Sequence, residues 1–216
     1  MTLQDILEAL QAEPLRPFWS ESDVARACRV QTPEVRQSLG ALIRQGRLSM
    51  LGNDLYANPF STYTVDALAG ALLRPSYLSL EYALHFHNVL PQTPWTLTSI
   101  TTAPCRVMVV NGWRYEYESV SPHCFGGYNW SHAPNTHVSI AMATPTKALL
   151  DWLYCRGVAG QWSDERIASM LDDMNLDEIA PDTLMADATT YFHSQDPHCF
   201  QRLLALASPV LAPKPF

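Results

Sequence analysis

The residues of this chain best suited to recognition chemistry stand on one short stretch. Between Thr32 and Arg44 the apolar residues Val35, Leu39, Leu42 and Ile43 recur at helical spacing. That stripe turns Pro33, Gln37, Gly40 and Arg44 to the opposite side and leaves Arg36 on the flank. Glutamine can bind adenine, and arginine guanine, through paired hydrogen bonds in a DNA major groove. Gly40 and Ala41 add little bulk, so such a helix can approach phosphates closely. Thr32-Pro33-Glu34 predicts the helix start, with the Thr32 hydroxyl as cap and a phosphate contact at the helix N-terminus. Arg29 and Arg47 stand at the edges, where a phosphate contact orients a protein without reading sequence. Asn53, on a following turn, joins Arg47 in that role. The plainer alternative is a solvated arginine face or a protein-docking surface.

A second group invites an enzymatic reading. Seven histidines are present, with His85 and His87 two apart, His123 beside Cys124, and His193 near His198-Cys199. On a helix, positions i and i+2 diverge by about 200°, so His85 and His87 cannot readily chelate one metal. The His-x-x-x-His and His-Glu-x-x-His patterns, phosphate-cradling glycine loops and the Gly-x-Ser-x-Gly elbow are all absent from the sequence. Glu116-Tyr117-Glu118 comes nearest to a metal-nuclease pattern but has no following lysine. Lys147 and Asp151 form an i, i+4 pair, which reads as a helix-surface or half-buried ion pair. Trp113, Tyr115 and Tyr117 share one face of an alternating segment, which suits either base stacking or a sheet core, and core is the simpler reading. No cofactor, metal or catalytic residue is expected.

The elements that must position these residues follow from period and punctuation. Thr2 precedes apolar residues at Leu3, Ile6, Leu7 and Leu10, an amphipathic helix stopped by Pro14 and Pro17. Ser20 to Asp23 supplies caps for a second helix that turns Val24, Ala25 and Cys28 inward. The third helix ends at Gly46. Residues 47–51 then alternate, Gly52-Asn53-Asp54 turns, and Leu55-Tyr56-Ala57 returns as a hairpin. Three helices followed by a hairpin is the order of a winged helix-turn-helix, whose third helix enters the major groove. This assigns residues 1–58 to a DNA-binding domain, with a hinge at Asn58-Pro59-Phe60-Ser61.

Residues 62–216 read as an α+β domain, an antiparallel sheet with flanking helices. Helices are expected over 64–73, 79–88 and 144–154, the middle one capped by Ser79. Strands are expected over 95–101, 106–110, 113–119, 123–128 and 136–142. Asn111-Gly112 is the strongest hairpin signal. An acidic helical remainder and a proline-punctuated tail complete the chain.

The whole has 216 residues, 47% hydrophobic, and a net charge of −7. That composition excludes a disordered chain. Charge is split: Arg16 to Met50 is mildly basic, with six arginines against three acids, and Ala159 to Pro197 has nine acids against Arg166. Five cysteines in no Cys-x-x-Cys pair predict buried free thiols. No membrane span or secretory signal is visible, which predicts a cytoplasmic protein.

The order of several segments resembles a known family. After the N-terminal region come Tyr77-Leu78-Ser79-Leu80-Glu81-Tyr82-Ala83-Leu84, a strand-rich section with Tyr115-Glu116-Tyr117 and Phe125-Gly126, and Ala143-Thr144-Pro145-Thr146-Lys147-Ala148-Leu149-Leu150-Asp151. Together, over roughly residues 5–155, they resemble the AbiEi antitoxins and transcriptional regulators of abortive-infection toxin–antitoxin systems. Thr146 stands where that family more often has Glu. The resemblance implies an autorepressor that binds inverted repeats in its own promoter, with a C-terminal domain that counteracts a toxin of nucleotidyltransferase fold. The acidic segment is compatible with a basic partner. The alternatives are a stand-alone regulator, a protein-docking adaptor, and a metal-dependent nucleic-acid-processing enzyme.

Overall fold

The computed structural model describes residues 2–133, 136–160, 162–194 and 196–211. The fold is mixed α+β and divides into two compact units. The first comprises the described residues of Met1–Leu73, Val110–Gly112 and Ser131–Ile140; the second comprises those of Arg74–Val109, Trp113–Trp130 and Ala141–Phe216.

In the first unit the chain runs α1 (Leu3–Gln11), β1 (Phe18–Trp19), α2 (Glu21–Cys28), α3 (Thr32–Arg44), β2 (Ser49–Gly52), β3 (Leu55–Ala57) and α4 (Val65–Leu72). Capping boxes start the first two helices: Thr2 with Asp5, and Ser20 with Asp23, each satisfying amides at both ends of the box. Helix α3 departs from expectation. Its cap is Gln31, which makes no side-chain cap bond, and Thr32 is already the first helical residue. The Thr32 hydroxyl therefore sits one position too far along to accept from the first-turn amides. β1 is too short to show alternation in sequence. It pairs antiparallel with β3, which pairs antiparallel with β2, giving the sheet order β1-β3-β2.

Ile6, Leu10, Trp19, Val24, Val35, Leu39, Leu42, Leu48 and Tyr56 form the core of this unit, with Cys28 and Ile43 packed on its margin. Asn58, read from sequence as part of a hinge, is buried. Its Nδ2 lies 3.0, 3.0 and 2.9 Å from the carbonyls of Leu10, Glu13 and Arg16, and its Oδ1 accepts from the Phe60 amide at 3.0 Å. That side chain ties the end of the hairpin to the loop after α1, and the unit continues through α4 to Leu73.

The second unit carries most of a six-stranded sheet built from β4 (Ser76–Leu78), β5 (Thr96–Thr101), β6 (Arg106–Val110), β7 (Trp113–Ser119), β8 (Tyr128–His132) and β9 (Ser139–Ala143). The order is β6-β7-β5-β4-β9-β8. The sheet is mixed, not antiparallel: β4 runs antiparallel to β5 but parallel to β9, and β5 runs parallel to β7. The Asn111-Gly112 turn folds β7 back so that it, and not β6, lies beside β5. Such pairings are long-range and leave no local signal. The strand expected over 123–128 is instead a 3-10 turn at Pro122–Cys124, with β8 starting at Tyr128. Tyr115 and Tyr117 are buried, whereas Trp113 at the strand's start is 41% exposed.

Helices α5 (Leu80–Phe86), α6 (Pro145–Leu153), α7 (Asp164–Asp172), α8 (Pro181–Phe192) and α9 (Pro197–Leu211) complete this unit. α5 packs on β5 and α6, and α6 also packs on α8 and α9. Enclosed in this way, α6 has no solvent face: every residue from Thr146 to Leu153 is buried. Thr144 caps it, accepting from the Lys147 amide at 3.3 Å. Thr146, at the position where the resembled family more often has Glu, donates its hydroxyl to Asp187 on α8. The thiols are less uniform than expected: Cys124 is buried, Cys105 is exposed, and Cys28, Cys155 and Cys199 lie between. Among the described residues no helix is long and apolar enough to cross a membrane. The proline-punctuated tail expected after Leu206 begins inside α9, which contains Pro209 and runs to Leu211; its remainder, 212–216, lies outside the described residues.

Candidate nucleic-acid interface

Helix α2 passes to α3 through Arg29-Val30-Gln31. Arg29 adopts a left-handed conformation with φ 57°. The turn closes by two backbone bonds, Arg29 N–H to the Arg26 carbonyl at 3.3 Å and Val30 N–H to the Ala25 carbonyl at 3.0 Å. The same closure ends α3, with Gly46 at φ 68°, its N–H bonded to the Ile43 carbonyl at 2.9 Å and the Arg47 N–H to the Leu42 carbonyl at 3.0 Å. Gly46 takes this conformation without strain and sets Arg47 directly past the helix end. A side chain at the equivalent position in the first turn costs about 1–2 kcal/mol. Arg29→Gly is therefore expected to raise stability by about 1 kcal/mol in urea unfolding. An unchanged or lower midpoint would show that the Arg29 side chain contributes to the fold.

The six arginines of this segment fall into two sets. Arg16 pairs with Asp23 at 2.7 Å, Arg26 reaches Asp23 at 3.7 Å, and Arg36 pairs with Glu21 at 2.7 Å. Among the described residues Arg29, Arg44 and Arg47 have no ion-pair partner, and all three are exposed or nearly so. Glu21 and Asp23 are thus taken up by the first set, whereas Glu34 in the first turn of α3 pairs with no arginine among the described residues, and Arg29, Arg44 and Arg47 place unpaired positive charge at the two turns that bracket α3. Gln37, Arg44, Arg47 and Asn53 are exposed and Thr32 is half-buried.

Against known proteins, the chain matches no family model and no curated protein.

Arg36 differs from the other expected contact residues. Its Nε lies 3.0 Å from both carboxylate oxygens of Glu21, and its Nη2 donates to Oε2 at 2.7 Å. Glu21 also accepts from the Tyr56 hydroxyl at 3.2 Å, and its backbone amide donates to Asp54 Oδ1 at 2.6 Å. The Arg36 hydrogen bonds hold the Glu21 carboxyl below the usual range, against a smaller opposing effect of burial. Burial, reinforced by the Glu21 charge, pushes the Tyr56 hydroxyl up to about 12. Sequence reading missed Glu21, Tyr56 and Asp54. An acidic residue in a first helical turn looks like ordinary dipole compensation, and only the fold brings it to Arg36.

A second polar cluster lies in the second unit. The Asp151 carboxylate pairs with the Lys147 ammonium and accepts from Tyr77 Oη at 3.0 Å and Ser79 Oγ at 2.7 Å. Lys147 also donates to Tyr77 Oη at 2.8 Å, and its ammonium stands 5.1–5.4 Å from the rings of Tyr77, Tyr191 and Phe192. Ser79 opens α5 without capping it, because its hydroxyl is turned to Asp151. Serine, lysine, tyrosine and aspartate together have the chemistry of a nucleophile and its bases. Ser79, Lys147 and Asp151 are 0% exposed and Tyr77 1%, so no solute reaches them in this conformation. The pair is an internal lock, fully buried where the sequence suggested a surface or half-buried contact.

The lock also constrains its surroundings. Gly127 has φ +71°, and a Cβ there would stand 2.7 Å from Lys147 Cγ. Gly127→Ala is expected to cost about 2–3 kcal/mol through overpacking and backbone strain combined. A urea midpoint within error of the parent would refute this close packing. Two of the histidines serve backbone groups: His85 Nδ1 lies 3.1 Å from the Leu90 carbonyl and His87 Nε2 lies 2.7 Å from the Ala143 carbonyl. Among the described residues no group of three His, Cys, Asp or Glu side chains is placed to hold a metal.

Proposed function

We propose that the N-terminal unit is a winged helix-turn-helix that binds duplex DNA, and that the chain is a cytoplasmic transcriptional autorepressor acting as the antitoxin of a toxin–antitoxin system. The observation that carries the DNA-binding reading is the arrangement around α3. A short turn with a left-handed arginine leads into it, a hairpin follows it, and Arg29, Arg44 and Arg47 carry unpaired charge at its ends. In this reading α3 lies in the major groove, with Gln37 and Arg36 facing base edges and Arg44 at the groove wall. Thr32 and the amides of the first turn meet one phosphate, and Arg47 and Asn53 meet others across the hairpin. The left-handed Arg29 supports it further, since a costly conformation retained at a turn that glycine would fill more cheaply points to a use for the side chain.

The regulatory and antitoxin parts of the proposal are supported by the order of sequence segments that resembles the AbiEi family. They imply inverted repeats in the chain's own promoter as the DNA target and a nucleotidyltransferase-fold toxin as the protein partner. The mechanism is non-catalytic: occupancy of the promoter excludes the polymerase.

The test uses the full chain, a duplex taken from upstream of its own reading frame, and a scrambled duplex of the same composition. Fluorescence anisotropy over a salt series is expected to give tighter binding to the upstream duplex and a log–log salt slope of several units. Affinity for neither duplex at low salt would overturn the proposal.

A further inference from the structure

Glu21 joins parts of the N-terminal unit that are far apart in sequence. Its carboxylate holds Arg36 on α3 through Nε and Nη2 and accepts from Tyr56 on β3, and its amide is held by Asp54 in the hairpin turn. The carboxylate is nearly sealed, with Glu21 8% exposed, while the Arg36 side chain remains 73% exposed. A guanidinium has two edges that can offer paired N–H donors, one through Nε and Nη2 and one through Nη1 and Nη2. Glu21 occupies the first. The second is left outside the pair, and it is the edge that can meet O6 and N7 of a guanine.

We propose that Glu21 is a positioning residue for base reading, resting on the DNA-binding proposal above. It compensates the Arg36 charge and fixes the guanidinium plane, so that Arg36 acts as a directional donor pair toward a guanine and adds little to non-specific attraction. The same carboxylate holds α3 and the hairpin in one relative setting. Glu21 itself touches no DNA. Removing its charge frees Arg36 as a mobile cation: non-specific affinity rises while discrimination falls. A residue with a merely structural role would lower both together.

The experiment compares wild type, Glu21→Gln, Arg36→Lys and Arg44→Ala on the upstream and scrambled duplexes over a salt series, with thermal melts to establish that each variant is folded. Glu21→Gln is expected to steepen the salt slope on scrambled duplex by about 1 and to reduce the upstream-to-scrambled affinity ratio about tenfold. Arg36→Lys keeps the charge but cannot form the paired contact, so its slope stays at the wild-type value while the ratio also falls about tenfold. Should Glu21→Gln fail to fold, Glu21→Asp takes its place, keeping the charge but shortening the reach to Arg36: an affinity ratio lowered at wild-type slope supports the positioning role, and the wild-type ratio overturns it. Wild-type slope and ratio in the folded variants would overturn this role of Glu21 and leave DNA binding intact. Absence of binding by wild type itself, with Arg44→Ala indistinguishable from it, would overturn the DNA-binding proposal instead.

Discussion

Asp151→Ala is expected to lower the unfolding free energy by about 3–5 kcal/mol, the largest loss foreseen for any single substitution considered in this chain. The substitution leaves the Lys147 ammonium, 0% exposed, without its carboxylate, and removes the acceptor of the Tyr77 and Ser79 hydroxyls. Burial pushes the Asp151 carboxyl up and Lys147 pulls it back down, with burial prevailing. A folded-state value above the unfolded one means that this group favours the folded state most at low pH, and that its contribution declines as pH rises through the folded value. The ionised network is therefore costly to assemble and costlier to leave half assembled. The double variant Lys147→Met with Asp151→Ala separates the two effects. It removes the stranded charge, so it should recover part of the loss, while two hydroxyls still lack their acceptor at about 1–3 kcal/mol each. Urea unfolding of the single and double variants gives the coupling. A loss below about 1 kcal/mol for Asp151→Ala, or a double variant less stable than either single one, would reject the buried-lock description.

What was legible in the sequence was what short-range rules encode. The apolar stripes of α1, α2 and α3 were legible because each buries one face at helical period, and the β6–β7 hairpin because Asn111-Gly112 suits only a tight turn. The parallel pairing of β5 with β7 was not, since nothing local records which edge a hairpin presents to an earlier strand. The burial of Lys147 and Asp151 was only partly legible. Ala148, Leu149, Leu150, Trp152 and Leu153 put apolar groups on every side of a short helix, which is the mark of an enclosed one. A charged pair at i, i+4 pointed the other way, and Tyr77 and Ser79, some seventy residues earlier, carried no sign that they would complete it. At the candidate interface the exposed positions of α3 followed from its stripe. The pairing of Arg36 with Glu21 did not, because it depends on the crossing of α2 and α3.

On the proposed DNA-binding reading, Arg44→Ala with Arg47→Ala is expected to abolish measurable binding to the upstream duplex at physiological salt and leave the fold intact. Both side chains are exposed, and among the described residues neither has an ion-pair partner, so their removal strands no buried charge. They flank Gly46, whose closure of α3 depends on backbone bonds that alanine at either position preserves. Stability should stay within about 0.5 kcal/mol of the parent, the ordinary range for surface substitutions. Each lost phosphate contact removes about 0.9 from the log–log salt slope, so the pair should flatten it by about 2 units. With few other unpaired cations on this unit, that loss falls on a small total, and affinity should drop by roughly 100-fold or more. Arg36 cannot substitute for them, because Glu21 already compensates its charge. The slope is the discriminating readout: a protein-docking surface would lose partner affinity without any dependence on duplex salt conditions. A double variant that binds the upstream duplex with undiminished affinity and slope would remove α3 from the DNA interface.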